Sequence, residues 1–165
     1  MIRYAFALAI VAACGATAAL HAQSSSASLT VTASVVKNCT ITTAPVNFGS
    51  YDPVAANATN PLDGTGTVTV TCTKGALASI ALNPGANDQA GARRMKGGTA
   101  DAYLNYDLYK DAGRTDKWDD TSGVLTLDPA PNRNPRAFTV YGRVAAAQDA
   151  TIGSYADTVV ATVNF

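Results

Sequence analysis

The chain has 165 residues, enough for one ordinary domain, and its 12 basic and 12 acidic side chains leave a formal net charge of zero. That balance gives no basic footprint for nucleic acid and no basic amphipathic helix for a membrane surface. Glutamate is absent while Thr, Val, Ala, Gly and Asp dominate, so polar helix formers are scarce, β-branched residues are plentiful, and strands are expected.

The first element stands outside that fold. Arg3 is a short basic n-region, residues 4–13 (YAFALAIVAA) are an apolar h-region, and Leu20-His21-Ala22 is a cleavage site. Residues 1–22 therefore read as a secretory signal peptide, with the mature chain starting near Gln23. Val11-Ala12-Ala13-Cys14 resembles a lipoprotein box in which Cys14 would carry lipid, but the h-region before it is short and the ordinary site lies downstream. Two cysteines then remain, Cys39 and Cys72. An even pair in an exported chain points to one disulfide made in an oxidising compartment, against two unrelated buried thiols.

After a small polar tract, Ser24-Ser25-Ser26-Ala27-Ser28, comes an alternating stretch, residues 29–42. As one strand it would hold 14 residues, against a usual length of about 5–6. One face carries Leu29, Val31, Ala33 and Val35, then Lys37, Cys39 and Ile41. Lys37 sets a charge where the pattern wants an apolar residue. The stretch divides if residues 29–35 form one element, Lys37 a hinge or surface point, and residues 38–42 the start of the domain. An alternating strand ahead of the domain can add to the edge of another subunit's sheet and seat its side chains there. The alternative is a long first strand within its own sheet, with Lys37 snorkelling to water. Periodicity leaves both open.

The domain continues in period two: Val68, Val70 and Cys72 against threonines 67, 69, 71 and 73; Ile80 and Leu82; Leu104, Tyr106 and Leu108; Phe138, Val140 and Val144 around Gly142. Residues 63–66, 83–87, 97–98, 111–113 and 129–132 supply the turns. About seven such strands predict an antiparallel β-sandwich, with no internal repeat and no second domain. The last run, Val159, Ala161, Val163 and Phe165, ends without a polar tail. It is either a plain final strand or a handle that a chaperone pairs with.

Taken in order, Val35-Val36-Lys37-Asn38-Cys39-Thr40-Ile41, Val46-Asn47-Phe48-Gly49-Ser50-Tyr51, Gly66-Thr67-Val68-Thr69-Val70-Thr71-Cys72, Tyr106-Asp107-Leu108-Tyr109-Lys110-Asp111, Val140-Tyr141-Gly142-Arg143-Val144 and residues 153–165 strongly resemble the spore coat protein U family. That family includes major pilins of archaic chaperone–usher systems. The resemblance implies an immunoglobulin-like sandwich lacking its final strand. A periplasmic chaperone would fill the gap until an outer-membrane usher exchanges it for the N-terminal strand of the next copy. It matches Cys39 and Cys72 to the family's disulfide, places Leu29, Val31, Ala33 and Val35 in the donor strand (residues 23–36), and places Val159, Ala161, Val163 and Phe165 in the chaperone-binding strand of the domain (residues 37–165). Tyr106, Tyr109 and Asp111 match a signature with a structural role. The implied product is a homopolymer at the cell surface, and the chain has no room for the extra domain of a two-domain tip adhesin.

Catalysis has little support. The only histidine, His21, lies in the signal peptide, so no mature imidazole is available, and neither cofactor nor metal is expected. Asp116, Asp119 and Asp120 could imitate a calcium loop, but such sites need more oxygen ligands at defined spacing, and a solvated turn is expected. Arg93-Arg94-Met95-Lys96 is expected to be an exposed loop. Trp118 among aspartates is the one feature of a second class, a secreted monomeric lectin-like module with a complete sandwich.

Overall fold

The computed structural model describes residues 22–98 and 101–165; the expected signal peptide up to His21, with Cys14, lies outside the described residues. The chain divides into a unit ending at Ser34 and a folded unit, Val35–Phe165. Every regular element described is a β-strand, as the composition requires. They are β1 (Cys39–Asn47), β2 (Leu62–Cys72), β3 (Ala78–Leu82), β4 (Arg94–Gly97), β5 (Tyr103–Tyr109), β6 (Leu125–Leu127), β7 (Arg136–Val144), β8 (Tyr155–Ala156) and β9 (Ala161–Asn164). One sheet has the order β1-β2-β7-β5-β4-β8 and the other β6-β3-β9, and every pairing is antiparallel. This is an incomplete immunoglobulin-like sandwich.

Alternation decides which face of each strand is buried. Val68, Val70 and Cys72 of β2, Leu104, Tyr106 and Leu108 of β5, and Val140 and Val144 of β7 point inward because period two puts every second side chain on one face. They meet Ile80 and Leu82 of β3 and Leu127 of β6 in one core. Trp118, in the connection between β5 and β6, is fully buried there. Its backbone N–H donates to the Leu108 carbonyl (2.9 Å) and its indole N–H to the Ile80 carbonyl (2.9 Å). One residue thus ties the large sheet to the small one, with both of its N–H groups paired.

β1 holds its pairing with β2 from Cys39↔Cys72 to Ala44↔Thr67, then slips before Asn47↔Thr65. The bulge reverses the alternation, so that Cys39 and Ile41 face inward before it and Val46 and Phe48 after it. Glycine makes room for them. A Cβ on Gly66 would come 2.7 Å from Val46 Cγ2, and one on Gly142 would come 2.7 Å from Phe48 Cζ. A glycine inside a strand commonly marks such a close approach.

Several expectations need correcting. Among the described residues nine strands form where about seven were expected, because β4, β6 and β8 are too short to show a period. Arg93 to Lys96 is not an exposed loop. Residues from Arg94 onward form β4, and Arg93 is only 5% exposed. Its guanidinium is accommodated because it donates to the carbonyls of Leu82 (2.8 Å) and Asn83 (2.8 and 3.2 Å). The final run is a strand only from Ala161. Before it, Asn83 captures the backbone of Val160, donating its N–H to the Val160 carbonyl (3.0 Å) and accepting the Val160 N–H on Oδ1 (2.8 Å).

Candidate functional site

Each sheet has an edge left unpaired at the same side of the sandwich. β1 ends the large sheet and β9 ends the small one, and no described strand pairs with the outer edge of either. Between them lies a groove of about 430 Å³ whose lining includes Val46, Phe48, Leu82, Met95, Leu108 and Val159. Beyond Phe48 it continues into a second cavity of about 830 Å³, between the loops around Tyr51 and Thr151. Val46, Phe48, Met95 and Tyr155 line both.

The two edges approach to within 8 Å between Cα atoms over part of their length without hydrogen bonding. Strands that flank a third lie roughly 9.5 Å apart, so an inserted strand would have to spread them there by at least about 1.5 Å. The inward side chains along both edges, Ile41, Val46 and Phe48 on one and Val159, Ala161 and Val163 on the other, are only half-buried. What is missing is a strand: a row of backbone partners plus a row of apolar side chains.

The wall formed by residues 155–160 is held from below. The Tyr106 hydroxyl donates to Asp157 Oδ2 (2.7 Å), while Asp157 Oδ1 accepts the backbone N–H (3.1 Å) and side-chain amide (2.9 Å) of Asn87. Burial, and then the hydrogen bond to Asp157, push the Tyr106 phenol far above its ordinary range. It therefore remains a neutral donor. At the opposite end of β9 the Lys37 ammonium lies 6.0 Å from the Phe165 ring centroid.

Of the residues singled out from sequence, Cys39 and Cys72 are joined by a disulfide at the registered start of β1 and end of β2. Residues 22–38 contain no strand; Leu29, Val31 and Val35 are 88%, 85% and 87% exposed, and Ala33 is exposed as well. Val159 and Ala161 line the groove, Val163 packs beside them on the core, and Phe165 is 46% exposed beyond the strand end. Tyr109 reaches Asp107 (3.4 Å), and the Asp111 carboxylate accepts the backbone N–H groups of Thr115 and Asp116, closing a turn. Asp116 pairs with Lys110 (3.0 Å), and Asp119 accepts from the backbones of Thr121 and Gly123. Trp118 offers no stacking face for a sugar, because both faces of its ring lie in the core; the one feature favouring a lectin-like module is lost. Periodicity did not single out Val46, Phe48 and Met95 as groove residues. The alternate glycines Gly64 and Gly66, with Gly142, were the available signal.

Fold and groove together define a subunit whose sandwich is one strand short. The chain belongs to the Spore Coat Protein U domain family, whose model matches residues 25–162. It is 40% identical over 128 residues to Protein U of Myxococcus xanthus, covering 73% of this chain and 71% of that protein. Its fold is similar to one chain of the CsuC–CsuE chaperone–tip adhesion subunit pre-assembly complex from archaic chaperone–usher Csu pili of Acinetobacter baumannii, with a TM-score of 0.57 and 23% identity. That likeness covers 79% of this chain and 40% of the other, so this chain spans about two-fifths of that chain's length.

Proposed function

We propose that this protein is a non-catalytic structural subunit of a surface pilus or coat, polymerised by donation of residues 23–36 of one copy to the sandwich, residues 37–165, of the next. The observation that carries the reading is the groove between β1 and β9, apolar within and flanked by two unpaired edges, in a chain that also carries an exposed alternating segment. A strand set into the groove would satisfy both edges and cover the half-buried side chains. Full burial of Leu29, Val31 and Val35 would contribute on the order of 5–9 kcal/mol before the cost of ordering the segment. The same exposed edges predict a need for protection before assembly. A periplasmic chaperone would pair with β9 through the strand that carries Val159, Ala161, Val163 and Phe165, and an outer-membrane usher would exchange it for the donor strand. Export through the periplasm, after cleavage near Ala22, follows from this route.

Deletion of residues 29–35 tests it. The truncated protein should remain monomeric and should bind a synthetic peptide of residues 25–36, with a raised melting temperature. Fibres formed by the truncated protein would sink the donor-strand reading.

A further inference from the structure

The link between the alternating segment and the domain is short, and its length creates a competing state. Only residues 36–38 separate Val35 from Cys39, and a loop of that length commonly closes a hairpin. A chain that turned back there would lie antiparallel on the free edge of its own β1. Val35 would then stand opposite Cys39, Ala33 opposite Ile41 and Val31 opposite Thr43. Those residues of β1 pair with Cys72, Val70 and Val68, which are all buried, so they belong to the inward face. Directly opposed residues of an antiparallel pair lie on the same side of the sheet. The hairpin would therefore seat the apolar face of the segment in its own subunit's groove. So short a tether gives an effective concentration on the order of millimolar, which would outcompete other copies at micromolar concentration.

Thr73 opposes that turn. It directly follows β2, which lies on one side of β1 while the unpaired edge lies on the other. The Thr73 N–H donates to the Asn38 carbonyl (2.9 Å), and the Thr73 hydroxyl accepts the Asn38 N–H (3.2 Å). Asn38 and Thr73 thus carry the β1–β2 register one residue past Cys39↔Cys72. The same hydroxyl donates to the Val36 carbonyl (3.1 Å), so the backbone on both sides of Lys37 is held toward β2. Thr73 is itself fixed. Its carbonyl accepts the Ala76 N–H (3.0 Å), the Gly75 N–H donates to the Ala130 carbonyl (2.8 Å), and the Ala130 N–H donates to the Ala76 carbonyl (3.0 Å). Folding back onto the free edge of β1 requires the Val36 peptide to swing away from β2 and give up its bond to Thr73.

We propose that Thr73 is the positioning residue that keeps the alternating segment out of its own groove and so leaves both free for another copy. This rests on the donor-strand reading and adds to it the choice between self-capping and polymerisation. Selectivity against a competing state is gained from a contact that only that state must break. One hydroxyl is enough because it holds two peptide groups of the same short link.

The test is Thr73→Val in the chain from Gln23 to Phe165, a change that keeps the side chain's shape and removes its hydroxyl. Diluted from denaturant to micromolar concentration, the variant should form fibres about tenfold more slowly than the unaltered protein. Amide exchange of residues 29–35 should slow by about tenfold in its monomer and stay fast in the unaltered monomer. Thr73→Ser, which retains the hydroxyl, should match the unaltered protein in both measurements. Fibres formed at the unaltered rate by Thr73→Val, or an equal slowing in Thr73→Ser, overturn the role of Thr73. Slow assembly with residues 29–35 still exchanging fast overturns it too, since the segment has then not entered its own groove. Failure of the subunit lacking residues 29–35 to take the peptide of residues 25–36 overturns the donor-strand reading instead.

Discussion

Around Trp118 the two sheets meet with every requirement satisfied: the indole is fully buried, its N–H is bonded to Ile80, and Ile80, Val68, Val70 and Val144 are closed off from water. Along β1 and β9 the same two sheets stand apart, with their outer edges unpaired and Val159, Ala161 and Val163 half-covered. The inward residues are equally apolar in both regions. They differ in whether a strand stands between water and the core. On the proposed reading, stability of the isolated subunit resides in the closed side and binding of another chain in the open one.

Substitutions on the two sides should separate these properties. Trp118→Ala is the largest test of the closed side. It opens a cavity and leaves the Ile80 carbonyl without its donor, at an expected cost of about 3–5 kcal/mol in urea unfolding. A loss under about 1 kcal/mol would mean that Trp118 is not the tie between sheets. Next comes the disulfide, whose cysteines lie 33 positions apart. The double change Cys39→Ser with Cys72→Ser should lower stability by about 2–4 kcal/mol, and reductant should lower the melting temperature of the unaltered protein but leave that variant unmoved.

The open side should behave in the opposite way. Val159→Thr puts a hydroxyl in the groove wall where water still reaches it, so the isolated subunit should lose less than about 1 kcal/mol. Binding of the peptide of residues 25–36 should weaken by roughly 5–150-fold, since the hydroxyl is then buried without a partner. A larger loss in the monomer than on the peptide would reverse the assignment.

The smallest effect lies outside both regions, on the outer face of the large sheet. Arg143 donates two hydrogen bonds to Asp63 (2.7 and 2.9 Å), and Arg114 lies 3.2 Å from the same carboxylate. The Arg143 hydrogen bond holds the Asp63 carboxyl below its usual range, against the opposing effect of burial and with help from the Arg114 and Arg143 charges. A depressed folded value means that the stabilisation is present above the unfolded value, about 3.9. It is lost as pH falls through the lower folded value. Solvent screening keeps it below about 1 kcal/mol. Asp63→Asn should therefore flatten the melting temperature between pH of about 4 and 2, and an unchanged profile would show that the pair contributes nothing.

Much of the sandwich was legible because its longer strands carry their own period. β2, β5 and β7 show the alternation Val-Thr-Val or Leu-Asn-Tyr, and the faces read from it are the buried ones. The groove was legible only in outline. Val159 and Ala161 could be placed on an inward face, but Val46 and Phe48 reach that face through a bulge that reverses the period of β1. Met95 lies in a strand four residues long, inside a basic run that resembles a surface loop. Arg93 was misplaced, and the burial of Trp118 in its loop went unread, for a related reason. Both are buried by hydrogen bonds to distant carbonyls, and such partners leave no trace in the neighbouring residues.

The donor-type segment shows the division most clearly. Sequence alone determined that Leu29, Val31, Ala33 and Val35 share one face and that Lys37 interrupts it, because side-chain alternation is a local property of an extended chain. It also determined the family, through motifs in order along nearly the whole chain. Tertiary structure alone decided that β1 and β9, more than a hundred residues apart, become the two free edges of one groove. Strand pairing is non-local, and which edges remain unpaired depends on how both sheets close around the core. The apolar lining of that groove is therefore assembled from residues that no local pattern brings together.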